Sequence, residues 1–258
     1  MSVVTVSPED LAQAADWIRS AAQVVVMTGA GVSAESGIKT FRDADGLWRT
    51  RDPMSLATPE AFAADPQNVW AFYRWRQHIA RACEPNAGHL ALTDMQMRCR
   101  SLVVVTQNVD GLHQRAGTKT VTLHGDLYAD RCTSCGREDN VLHQPLPGVD
   151  PSSPSDDPPL PHCTSCGSLM RPGVVWFGES LPEGPVERAA EAASAANLML
   201  IIGTSGVVYP AAGLAELTQR NGGRIIVVNP GTTPHTSTAD LHLRGTSASV
   251  LPRLVDVL

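Results

Sequence analysis

Lysine is almost missing from this 258-residue chain: Lys39 and Lys119 are the two, and every other basic residue is arginine. Base is also the minority charge, 20 residues against 26 acids, for a formal net charge of −6. A protein that tracks a phosphate backbone needs a basic surplus, so nucleic acid is not an expected partner. No run of about 18 apolar residues occurs, which removes a membrane-spanning helix and, with it, a membrane partner. The opening Met-Ser-Val-Val-Thr-Val-Ser-Pro-Glu-Asp lacks a basic segment ahead of an apolar one; it predicts no secretion signal and a cytoplasmic location. No fixed-period repeat is present apart from two Cys-Thr-Ser-Cys pairs. With 43% hydrophobic and 18% charged residues, the chain can build a buried core.

The periodicity predicts alternating helices and buried strands. Ser7 reads as an N-cap, with Pro8 at the first helical position, Glu9 and Asp10 in the first turn, and a helix to about Ala22. Val24–Met27, Leu102–Val105, Leu198–Ile202 and Arg224–Val228 are short runs, apolar on both faces, as parallel strands under helices require. Each run ends in small or polar residues. Ligands of open α/β sheets bind beyond the carboxyl ends of the strands, so four loops are expected to converge on one site. The fold class is α/β: a Rossmann-like parallel sheet with a small zinc-binding module and a helical insert. One domain is expected over 1–258, its dinucleotide part built from 1–44, 86–125 and 173–258, the helical insert at 45–85 and the zinc module at 126–172. The stretch from Gln144 to Pro161, rich in Pro, Ser and Asp, reads as a mobile loop.

Cys132-x-x-Cys135 and Cys163-x-x-Cys166 each sit in a Cys-Thr-Ser-Cys-Gly knuckle. Two thiolates per turn, from two turns, close a tetrahedron around one Zn²⁺ and leave no open position for catalysis. His162 adjoins Cys163 as a competing ligand, whereas Cys83 and Cys99 have no partner spacing and read as structural thiols. Gly29-Ala30-Gly31-Val32-Ser33 follows the first buried strand, where glycines let backbone approach a pyrophosphate. It is not a dehydrogenase fingerprint: Ala34 stands where the third glycine belongs, and Trp48 and Arg49 lie near the offset of about 20 residues where an acid is expected.

These motifs, taken in order with Thr40-Phe41-Arg42, Thr106-Gln107-Asn108-Val109-Asp110, Leu123-His124-Gly125, Val175-Trp176-Phe177-Gly178-Glu179, Gly203-Thr204-Ser205 and Val228-Asn229, resemble the sirtuins over nearly the whole chain. The resemblance implies a deacylase that consumes NAD: the acyl amide oxygen attacks the nicotinamide ribose, nicotinamide leaves, and the acyl group departs on ADP-ribose. It implies His124 as the base, with Gly125 leaving the flank of its ring open. Asn108 would orient ribose or water, Asp110 would receive the nicotinamide amide and Gln107 the ribose. The expected NAD contacts are Gly29, Ala30, Gly31, Ser33, Thr40, Phe41, Arg42, Trp48, Gly203, Thr204, Ser205, Asn229 and, near adenine, Ser247. Val175, Phe177, Gly178 and Val207 would hold the substrate peptide as an added strand. The partners implied are acylated-lysine proteins or peptides, met by a monomer.

Tyr73 and Arg76 are three apart and share a helical face. A phenol and a guanidinium together make a carboxylate receptor. This Tyr-x-x-Arg, with the small Ala57, resembles the class III sirtuins, which remove succinyl, malonyl or glutaryl groups. On the residues alone, a helix with exposed arginines is an equal reading. Lys39, Asp43 and Gly173 depart from residues frequent in the family. Three alternatives stay open at this level: an NAD-dependent mono-ADP-ribosyltransferase on the same fold, a non-enzymatic zinc-knuckle module, and a nicotinamide or flavin oxidoreductase.

Overall fold

The computed structural model describes residues 6–38, 53–144 and 159–258. Helix α1 (Pro8–Ser20) starts where the Ser7 hydroxyl accepts the Asp10 N–H at 3.0 Å, with Glu9 and Asp10 at its positive end. Strand β1 (Val24–Thr28) follows, buried along its length. The insert holds α2 (Pro59–Ala64) and α3 (Pro66–Ala82), capped by Thr58 and Asp65, each with proline in its first turn. Next come α4 (Ala87–Arg98), β2 (Leu102–Thr106), α5 (Leu112–Arg115) and β3 (Thr120–Thr122). A second module contributes β4 (Gly125–Cys132), β5 (Glu138–Asn140) and β6 (Met170–Val174). The chain then returns through α6 (Glu183–Ala195), β7 (Leu198–Ile202), α7 (Leu214–Arg220), β8 (Arg224–Val228), β9 (Leu241–Leu243) and α8 (Ser247–Asp256).

The main sheet is parallel, in the order β3-β2-β1-β7-β8-β9. Strand order reverses between β1 and β7, and their level register, Thr28 opposite both Thr106 and Ile202, brings three carboxyl ends to one edge. That reversal is the topological switch point, where an α/β sheet opens a ligand crevice. The all-apolar strands are explained by the layers. Val24 and Val26 pack against α1, α4 and α8, whereas Val25 and Met27 pack against α6 and α7. The four sequence-predicted strands are present, and β3 and β9 are short edges outside that expectation.

The small sheet is antiparallel, β5-β4-β6. A third apolar cluster, including Trp70, Phe72, Tyr73, Leu127, Tyr128, Met170 and Trp176, joins it to the insert. Within this seam the buried Arg74 guanidinium reaches Asp130 at 2.7 Å and Gln77 at 2.9 Å. Breaking such a pair strands a buried charge at a cost of about 3–5 kcal/mol, so insert and small sheet are held in one relative position. Gly173 is part of that sheet's geometry: a Cβ there would lie 1.7 Å from the Ala129 carbonyl oxygen, which leaves no room for a bulkier residue. No helix among the described residues is long and apolar enough to cross a membrane.

Two expectations fall on undescribed residues. Thr40, Phe41, Arg42 and Trp48, together with Lys39 and Asp43, lie outside the described residues, as does most of the stretch from Gln144 to Pro161. One expectation is corrected. The expected extended segment from Val175 to Gly178 stops early: β6 ends at Val174, and Phe177–Glu179 forms a turn closed by the Glu179 N–H on the Trp176 carbonyl at 3.1 Å. The reason is Glu179, whose carboxylate folds back onto the Trp176 N–H at 2.8 Å.

Candidate active site and metal centre

At the switch point the loops after β1 and β7 interlock. The Gly31 N–H donates to the Gly203 carbonyl at 2.8 Å. A Cβ on Gly31 would sit 2.7 Å from that oxygen, and one on Gly29 would sit 2.8 Å from the Thr204 Cβ. Gly203 adopts φ +59°, and a Cβ there would meet the Val32 nitrogen at 2.6 Å. The glycines are therefore required by loop-on-loop packing, a reason the sequence motif alone does not display. Ser205, half-buried beside them, has no hydrogen-bond partner among the described residues.

The loop after β2 enters from the other side. Gln107 bridges the strands: its N–H reaches the Thr28 carbonyl at 3.0 Å and its side-chain amide donates to the buried Thr204 hydroxyl at 3.2 Å. Asn108 spends its amide nitrogen on the Gly29 carbonyl at 3.1 Å and the Ser33 Oγ at 3.2 Å. Its Oδ1 is left as an acceptor for a ribose hydroxyl or water. Asp110 is buried; its carboxylate accepts the Ser33 hydroxyl at 2.7 Å and the Leu112 N–H at 2.9 Å. Ser33 is thus corrected from an expected phosphate contact to an internal link: it is buried, its hydrogen goes to Asp110, it accepts from Asn108, and His89 Nε2 lies 3.5 Å from its oxygen. Asn229 follows β8, with its amide donating to the Gly231 carbonyl at 3.0 Å.

His124 joins this group from the start of β4. Its Nδ1 lies 3.1 Å from the Gln107 carbonyl, and a carbonyl only accepts, so Nδ1 carries the hydrogen and Nε2 is bare. Burial pushes the imidazole below its ordinary range, against an opposing pull from that carbonyl. A neutral ring with an open Nε2 can take a proton from a substrate hydroxyl. The reason for Gly125 is corrected: it has φ +81°, and a Cβ would lie 2.2 Å from the Gly173 oxygen, so the glycine serves the β4–β6 junction and not the exposed flank of the ring.

Two further histidines escaped the sequence reading. His113 Nε2 meets the Thr28 hydroxyl at 3.0 Å; Thr28 donates to Thr106 at 2.8 Å; Thr106 accepts the Asn108 N–H at 3.0 Å. This buried relay supports the Asn108 backbone from beneath. His89 caps the Asn86 N–H and stacks edge-on against His113, 4.8 Å between ring centres. Burial, then the neighbouring His89, pushes His113 down to about 3. The signal available was position only: both sit on helices directly behind the loop motifs.

On the insert side, Ala57 is buried and its carbonyl accepts the Phe177 N–H at 2.9 Å, while the His124 carbonyl accepts the Val175 N–H at 2.9 Å. The Val175–Phe177 segment is therefore pinned between the expected acyl and ribose sites. Tyr73 is buried, and its hydroxyl accepts the Trp176 indole N–H at 3.0 Å. The half-buried Arg76 guanidinium lies 5.6 Å from the Tyr73 ring centre. Burial pushes Arg76 down and Tyr73 up, so the phenol keeps its proton. Phe177 and Val207 are about half exposed, and Val208 and Tyr209 are exposed as well. Ser247, the expected adenine contact, has a buried Oγ with no hydrogen-bond partner among the described residues. It is buried at the start of α8 against Gly88, where helix α4 approaches too closely for a Cβ.

The metal centre is built as the spacing predicts. The four sulfurs of Cys132, Cys135, Cys163 and Cys166 lie within 4.8 Å of one another, with 3.5 Å between Cys132 and Cys166 and 3.7 Å between Cys135 and Cys163. A Zn–S bond of about 2.3 Å gives a tetrahedral sulfur–sulfur edge of about 3.8 Å, so the four cysteines are positioned to hold one zinc ion. Gly136 and Gly167, at φ +72° and +74°, close the two knuckles. His162 stays out of the metal centre, as the four-thiolate reading expects: its Nδ1 turns to the Gly167 carbonyl at 3.1 Å and it is not among the clustered groups.

Comparison with known proteins places this geometry. Residues 29–210 match the family model described as Sir2 family. The NAD-dependent protein deacylase of Aquifex aeolicus (strain VF5) is 47% identical over 236 residues, covering 91% of this chain and 95% of that protein. A crystal structure of a Sir2 homolog–NAD complex is 44% identical, with a TM-score of 0.86, covering 95% of this chain and 92% of that one. A Sir2–p53 peptide–NAD⁺ structure is 31% identical, with a TM-score of 0.78, covering 95% of this chain and 96% of that one.

Proposed function

Because the chain belongs to the Sir2 family, we propose that it is an NAD-dependent protein-lysine deacylase whose acyl pocket selects groups ending in a carboxylate: succinyl, malonyl or glutaryl ahead of acetyl. The relatives' names and the NAD-bound neighbour support the co-substrate. In this reading Thr204, Ser205 and Asn229, in the loops after β7 and β8, serve the nucleotide end, and Asn108 and Asp110, in the loop after β2, the nicotinamide end. When bound, NAD supplies an electrophilic ribose carbon from which nicotinamide departs. The chain's own residues do the rest. The Asp110 carboxylate receives an amide N–H, held in place by Ser33 and the Leu112 N–H. The Asn108 Oδ1 orients an incoming hydroxyl. His124 Nε2 accepts that hydroxyl's proton, and the Gln107 carbonyl steadies the imidazolium through Nδ1. The peptide-bound neighbour and the exposed apolar side chains of Phe177, Val207 and Val208 support acylated-lysine peptides as substrates.

The observation that carries the acyl preference is the juxtaposition of Tyr73 and Arg76. A guanidinium stays charged even when desolvated, so a site that buries one is improved by an arriving anion. A neutral acetyl group brings no such gain. The test is kcat/KM for succinyl- and acetyl-lysine peptides with wild type and Arg76→Met. Loss of a charge-assisted hydrogen bond worth about 1.5–3 kcal/mol lowers the succinyl value about 10- to 150-fold and spares the acetyl value. An equal preference before and after the change would overturn the reading.

A further inference from the structure

Beyond the end of β6 the chain has no strand ladder to hold it, yet three successive N–H groups are all engaged inside the protein. Val175 donates to the His124 carbonyl and Phe177 to the Ala57 carbonyl, each at 2.9 Å. Trp176, between them, donates to the Glu179 carboxylate at 2.8 Å, and the Glu179 N–H closes on the Trp176 carbonyl at 3.1 Å. Gly178 is what this arrangement leaves out. It is exposed, with φ +86°, and makes no hydrogen bond among the described residues. A Cβ there would meet nothing within 4 Å beyond its chain neighbours, so packing does not hold it. An exposed glycine is ordinarily the loosest of residues. Here the residues on both sides of it are fixed.

Glu179 is fixed by Arg171. Its carboxylate bridges both terminal nitrogens of the guanidinium, at 2.5 and 2.9 Å. The same guanidinium donates to the Val174 carbonyl at 3.0 Å and lies 3.6 Å from the centre of a Trp176 ring. Arg171 is 9% exposed, so this is not a surface pair that solvent loosens. Burial pushes the Glu179 carboxyl up, but the Arg171 bonds and the Trp176 N–H outweigh it and hold the group ionised. The turn through Gly178 is therefore tied to the last strand of the small sheet by two charged side chains.

We propose that Glu179 and Arg171 are positioning residues for the substrate main chain: their ion pair holds the Gly178 peptide groups in one orientation, ready to pair with the backbone that flanks the acylated lysine. This rests on the reading of Phe177 and Gly178 as a site for an added peptide strand, and it is independent of the acyl preference. A backbone fixed beforehand binds without being ordered on each encounter. Fixing one residue changes an equilibrium by a factor of about 5 to 30, which is the scale of the effect at stake.

The test compares two substrates carrying whichever acyl group wild type turns over faster: an acyl-lysine peptide with several residues on each side, and the same acyl-lysine blocked at both ends with none. Glu179→Gln keeps an oxygen for the Trp176 N–H and loses the ion pair. Peptide KM is expected to rise about 5- to 30-fold, with the KM for NAD and for the blocked lysine changed less than about twofold. Arg171→Met/Glu179→Gln removes the buried charge along with its partner, so it is expected to regain the Tm lost in Glu179→Gln while peptide KM stays high. A peptide KM that returns with Tm, or an equal loss on the blocked lysine, would overturn the proposal and leave the pair a structural one. A wild type that binds the peptide no better than the blocked lysine refutes the added-strand reading, and the positioning role with it. A wild type with that advantage, kept intact in Glu179→Gln, refutes the positioning alone.

Discussion

His113 offers a quantitative check on the polar layer beneath the site. It is neutral in the fold, held down to about 3 by burial and then by His89, whereas in the unfolded chain it titrates near 6.5. Between these values the unfolded chain binds the extra proton, so stability is present above 6.5 and is lost as pH falls below it. From pH 7 to pH 5 the unfolded side gains about 2 kcal/mol from this one residue, with the folded side unchanged. His113→Gln removes the titration and keeps a donor for Thr28. Urea unfolding at both pH values, fitted with a common slope, gives the difference in each protein. Wild type is expected to lose about 2 kcal/mol more than the variant over that interval, because His89, His124 and the zinc thiolates contribute to both. Identical losses would refute a neutral His113 and the relay through Thr28 and Thr106 to Asn108.

Two other predictions follow from the site. Burial depresses His124, so the acid limb of log kcat/KM should fall below the ordinary imidazole value of about 6.5, activity being lost only as pH drops through that lower value; a limb at or above 6.5 would contradict a buried neutral base. Metal analysis should return one zinc per chain, and Cys135→Ala or stripping with a chelator should lower Tm and activity together, since β4 leads from His124 into the Cys132 knuckle. Full activity with no bound metal would contradict a structural zinc.

The legibility of this chain varied with the range of the interactions involved. β1, β2, β7 and β8 were plain because each is apolar on both faces, and the knuckles were plain because two ligands lie three residues apart in each. Loop convergence follows from the rule for parallel sheets, and the structure bears it out at Gly31–Gly203 and Gln107–Thr204. What the sequence hid is long-range. Ser33 looked like a phosphate contact because nothing local announces that Asp110, far along the chain, takes its hydroxyl. Gly125 and Gly173 owe their identity to each other's strand across the small sheet. Ser247 is named only through the family resemblance, and nothing local shows that Thr246 caps a helix there and Ser247 packs against Gly88 of α4. Trp176 was read as one letter of a motif; its bond to Tyr73 crosses 103 positions and no pattern predicts it. β3 and β9, at three residues each, fall below what periodicity resolves.

The central claim is that the crevice between β1 and β7 couples cleavage of NAD to removal of an acyl group from lysine. Chromatographic quantitation of nicotinamide and deacylated peptide in one reaction tests it directly. With succinyl-lysine peptide the two products are expected in equal amounts, with none of either when NAD or the acyl group is omitted. Deacylation without NAD, or nicotinamide release indifferent to the acylated peptide, would contradict it.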